Sequence, residues 1–125
     1  MLSLLTLIIA QAAAPVAPDE AVAQEIVVIG DKLKDWKGGV YKKDGRLTCR
    51  TETSSGDFAV DTIRCAAMVK CYAPRVEELD RIANEDSPRA ERNAKMQVIA
   101  EEVVPCIEAA EEEGTRLLAT ARAAE

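Results

Sequence analysis

A chain of 125 residues with a formal charge of −6 and not one histidine is bounded before any motif is read. Its length holds one domain at most, and the missing imidazole removes Ser-His-Asp and Cys-His catalysis and every histidine metal ligand. The acidic balance excludes general nucleic-acid binding, because most of the surface would repel phosphate.

The first apolar run, Leu2 to Ala10, carries no charge and is too short to span a bilayer as a helix. Ala10-Gln11-Ala12 behind it fits a small-residue processing rule. Residues 1–12 therefore read as a signal peptide cut after Ala12, although only the α-amino group supplies positive charge ahead of the run. Residues 13–24, with Pro15 and Pro18 among small side chains, read as a flexible linker. The folded domain is expected over residues 25–120, with 121–125 a frayed tail.

Within it, Glu25-Ile-Val-Val-Ile-Gly30 is a β-branched run ended by glycine, the pattern of a strand. Asp31 to Gly38 is one helical turn at most. Residues 39–53 read as a β-hairpin turning at Lys43-Asp44-Gly45. Asp57 suits the N-cap of a helix running from about Phe58 to Ala73, stopped by Pro74. Its wheel shows two apolar faces, one with Val60, Ile63, Ala67 and Cys71, the other with Phe58, Cys65, Met68 and Tyr72. Residues 75–83 form a short amphipathic helix. Ser87-Pro88 then opens a last helix whose stripe holds Met96, Ile99, Val103, Cys106, Ala110 and Leu117, and which Pro105 must kink or split.

Four cysteines, Cys49, Cys65, Cys71 and Cys106, follow the leader. An even count in a small exported chain reads as two disulfides. Cys65 and Cys71 point to different faces of one helix and cannot meet each other, so each reaches another element. Cys49–Cys65 with Cys71–Cys106 is the preferred pairing; Cys49–Cys71 with Cys65–Cys106 is the alternative. The spacings lack the close C-x₂-C pairs of a zinc site or a redox motif, and no metal or cofactor is expected.

Residues 31–50 carry seven Lys/Arg against three Asp, whereas residues 75–125 carry seven against thirteen Asp/Glu. Trp36, Lys37, Tyr41, Lys42, Lys43 and Arg46 could form a contact patch for an unknown protein or an anionic envelope component. The plainer reading of the same residues is a lysine-blunted sheet edge. Glu111-Glu112-Glu113 reads as an exposed acidic face, and Ser54–Asp57 as a capping loop. Glu25–Gly30 resembles the E-I-V-V-T-G segment near the mature N-terminus of TonB-dependent receptors. The chain as a whole resembles small four-cysteine exported proteins of Gram-negative bacteria, which implies a periplasmic setting and no activity.

The expectation is an α+β fold: an N-terminal strand and β-hairpin packed on a central helix, followed by a kinked C-terminal helix, with two disulfides. The expected function is a periplasmic or secreted, non-catalytic binding protein without a membrane span after leader cleavage. An inhibitor of a secreted enzyme, plugging its target with Ser54–Asp57, is the alternative, and a small carboxylate-dependent hydrolase comes third.

Overall fold

A computed structural model describes residues 18–125; the expected leader and residues 13–17 of the expected linker lie outside the described residues. The element order is α1 (Pro18–Asp35), β1 (Lys37–Lys43), β2 (Arg46–Thr53), α2 (Phe58–Tyr72), a 3-10 turn (Ala73–Arg75), α3 (Val76–Ala83) and α4 (Arg89–Ala123). The class is α+β, and the two disulfides are Cys49–Cys65 and Cys71–Cys106, with Cα atoms 5.4 and 5.8 Å apart.

The largest departure from expectation is α1. Glu25–Gly30 is helical, not a strand, and the helix begins at Pro18, inside the expected linker. Asp19 and Glu20 lie in its first turn and Lys32 and Lys34 in its last, each sign at the dipole end that favours it. Val22, Ile29 and Leu33 recur at helical spacing and pack on Val60, Ile63, Leu118 and Ala119. That burial outweighs the β preference of the Ile-Val-Val-Ile run, which is contextual rather than intrinsic to the backbone.

The long helix α4 is the spine. Its 35 residues form one element with Pro105 inside it, not two helices, about 50 Å long. Two cores form along it. Towards its start, Ile99 and Val103 bury against Cys71 and Ile82. Towards its end, Ala119 buries with Ile29 and Val60. Burying one such Ile or Val side chain contributes roughly 1.5–3 kcal/mol. The helix continues through the residues expected to fray, because Ala119 is fully buried and Arg122 pairs with Asp57. At its start, Pro88 rather than Ser87 occupies the cap position, and the Ser87 hydroxyl donates to Glu85 instead.

The hairpin is a two-stranded antiparallel sheet with Lys43 opposite Arg46 across the Asp44-Gly45 turn. Both turn residues take positive φ, 52° and 75°, the mark of a type I′ turn and the reason glycine stands at Gly45. Alternation sends Leu47, Cys49 and Thr51 to the face that the Cys49–Cys65 bond fastens to α2. Phe58, expected on the covered second face of α2, is instead 86% exposed at its first turn.

Candidate functional site

Asp57 ties three helices together. Its carboxylate accepts the Ala59 and Val60 amides at the start of α2, Lys32 from α1 at 2.9 Å, and a two-pronged contact from the Arg122 guanidinium of α4 at 2.8 Å. The Arg122 and Lys32 contacts hold its carboxyl far below the ordinary Asp value of 3.8. The preceding loop is knitted inward as well: the Ser55 hydroxyl and amide both donate to Asp61, at 2.6 and 2.9 Å, and the Ser54 hydroxyl also donates to it. This is a built cap, as Asp57 suggested.

Trp36 belongs inside the molecule, not on a contact patch. It is 5% exposed, its indole N–H donates to Thr51 Oγ1 at 2.9 Å, and the Arg64 guanidinium lies over its ring at 5.4 Å. Arg64 in turn pairs with Glu111 of α4. One member of the acidic run is thus a buried-side anchor rather than a solvated charge. The chain Thr51–Trp36–Arg64–Glu111 connects hairpin, α2 and α4.

With Trp36 withdrawn, the other expected contact residues separate. Lys43 and Arg46 flank the turn at the exposed tip, and Lys37 is exposed at the start of β1. Tyr41 stands 41% exposed. Lys42 crosses to α3 and pairs with Asp80 at 2.7 Å. Tyr41 and Lys42 border a groove of about 730 Å³ between the hairpin, the end of α2, α3 and the first half of α4.

The groove's floor is apolar. Val40, Leu47, Met68, Tyr72, Leu79 and Met96 line it, all half-buried. Its rim is polar, with Lys42, Asp80, Asn93 and Gln97. Desolvation raises the Tyr72 hydroxyl pKa above its ordinary 10.0, so that group stays a neutral donor at physiological pH. The two methionines add a surface that can reshape around different apolar side chains. Apolar floor, sparse polar rim and convergence of several elements are the features of a binding site. Both disulfides brace it: Cys49–Cys65 fixes the hairpin wall to α2, and Cys71–Cys106 fixes the end of α2 to α4.

Sequence reasoning missed the groove because its walls come from five elements, β1, β2, α2, α3 and α4. The available signal was the second apolar face of α2, where Met68 and Tyr72 needed a partner that the hairpin only half supplies. Among the described residues there is no cluster of three or more His, Cys, Asp or Glu side chains placed to hold a metal ion, and no helix long and apolar enough to cross a membrane. Compared with models of protein families, curated proteins and solved structures, the chain matches none.

Proposed function

We propose that this is an exported, non-catalytic binding protein that holds an apolar segment of a partner protein in the groove between the hairpin and α2–α4. The observation that carries the reading is the concavity itself: half-buried Val40, Leu47, Met68, Tyr72, Leu79 and Met96 converge under a rim of Lys42, Asp80, Asn93 and Gln97. Two disulfides around that groove support a periplasmic or secreted setting, where such bonds persist. Preorganising the site in this way lowers the ordering cost of binding.

A photo-crosslinking side chain at Gln97 tests this in cells. It should give a discrete adduct that Ala83→Arg, which fills the groove, abolishes; the same group at Arg116, outside the groove, should give none. Adducts at both positions, or at neither, would overturn the reading. Non-reducing intact mass of the recovered chain tests export at the same time, since cleavage after Ala12 with no free thiol is the expected species.

The inhibitor reading keeps one specific observation in its favour. Phe58 projects into solvent directly after the hydrogen-bonded Ser54–Asp57 loop, a rigid mount for an inserting side chain. Loss of adduct formation in Phe58→Ala with the groove intact would favour that reading over the groove.

A further inference from the structure

One wall of the groove is a strand whose outer edge is open. Residues 38–42 of β1 line the concavity in unbroken sequence, about 16 Å of extended chain. In a two-residue hairpin the pair flanking the turn exchanges backbone hydrogen bonds, and the exchange recurs at every second pair. Lys43/Arg46, Tyr41/Thr48 and Gly39/Arg50 are therefore the bonded pairs of this register. The N–H and C=O groups of Val40 and Lys42, within the regular part of the ladder, consequently point away from β2, towards the groove. Among the described residues no segment pairs with them: the sheet has two strands, and the remaining backbone bonds lie elsewhere.

We infer that the occupant of the groove is an extended peptide segment of a partner protein, added as a third strand along the free edge of β1 with alternating apolar and acidic side chains. An added strand sits about 4.8 Å from its neighbour, which places it in the space separating β1 from α3 and α4. Alternate side chains of the incoming strand point to the same face as Val40 and meet Met68, Tyr72, Leu79 and Met96. The others stand beside Tyr41 and Lys43 on the outer face. Main-chain bonds then provide affinity and the floor provides selection, as in other strand-addition complexes.

Charge decides between a peptide and a second copy of this chain. Antiparallel self-pairing centred on Val40 would set Lys37 against Lys43 twice, and like charges directly opposite destabilise a sheet. The same lysines attract carboxylates on the outer positions of a foreign strand. The edge is guarded against itself and open to an acidic partner.

This inference rests on the groove being the binding site, so its test separates the two. The probe is a capped heptapeptide of alternating Glu and Val, titrated into the disulfide-bonded chain and followed by amide hydrogen exchange and methyl NMR. Exchange at Val40 and Lys42 should slow by about tenfold or more, while Tyr41, already bonded to Thr48, changes little. N-methylating the alternate peptide amides that face β1 should weaken binding by about tenfold or more, and N-methylating the other set should not. Failure of the parent peptide to bind, or equal affinity of the two N-methylated forms, overturns the added strand. Decanoate serves as the second probe. If it alone shifts the Met68 and Met96 methyls without protecting Val40, the groove stands and the strand falls; if neither probe moves groove signals, both readings fall.

Discussion

Replacing Asp57 by alanine removes a cap and two ion pairs in one step, and the structure sets the size of the loss. Loss of an N-cap carboxylate costs about 1 kcal/mol. The two-pronged Arg122 contact, whose side chain is only 24% exposed, adds about 1 kcal/mol, and the more exposed Lys32 pair, at 39%, adds about 0.5 kcal/mol. The total is about 2.5 kcal/mol, which for a domain of this size lowers Tm by about 10–20 °C. The assay is a thermal melt by circular dichroism with both disulfides intact. Asp57→Asn keeps a capping oxygen and loses the charge, so it should fall between wild type and Asp57→Ala. An Asp57→Ala variant melting within a couple of degrees of wild type, or an Asn variant as unstable as the Ala variant, would refute the view that this carboxylate fastens three helices.

The same carboxylate gives a pH dependence. Its folded-state pKa is depressed below the ordinary 3.8, so its contribution is full above that value, declines below it as the unfolded chain's carboxyl takes up a proton that the native carboxylate resists, and is gone once the native group protonates too. The Tm gap between wild type and Asp57→Ala should therefore narrow only below about pH 4, and a gap that closes between pH 7 and 5 would contradict the assignment. A Cβ at Gly38 would stand 2.2 Å from the Arg50 carbonyl oxygen and 2.6 Å from the Trp36 ring. Gly38→Ala should thus cost about 1–3 kcal/mol and shift tryptophan fluorescence, with an unchanged denaturation midpoint and spectrum as the contrary result. Removing Cys71–Cys106, which spans 35 residues, should destabilise more than removing Cys49–Cys65, which spans 16, each by about 2–4 kcal/mol; chemical denaturation of the paired Cys→Ala variants measures the order, and the reverse order would contradict it.

What was legible in the sequence depended on whether the signal was local. The Asp44-Gly45 turn, the Asp57 cap and the Pro74 stop are decided by neighbouring residues, and the hairpin and α2 follow from them. The two faces of α2 removed only a Cys65–Cys71 bond and left two pairings, of which the preferred one is the pairing found. Glu25–Gly30 was misread because its β-branched side chains are a local signal, while the stripe through Val22, Ile29 and Leu33 only emerges once the helix is extended back across the supposed linker. Trp36 was misjudged for a related reason. Flanking lysines suggested a surface, yet its partners Thr51, Arg64 and Gly38 lie on the hairpin and α2. The groove could not be seen at all from one segment, since Leu79 and Met96 each look like ordinary core positions on their own helices.

The covalent bracing is lopsided. Both sulfur bridges join elements from β2 onward, whereas α1 is kept in place by the packing of Ile29 and Leu33, by Lys32 on Asp57, and by the Trp36 anchor behind it. No covalent cross-link therefore holds the first helix, whereas the hairpin, α2 and α4 are stapled to one another. Its departure would uncover Val60 and Ala119, fully buried in the native state. The groove and the unstapled helix lie towards opposite ends of one long spine, so the two ends are held by different means, sulfur at one and packing at the other.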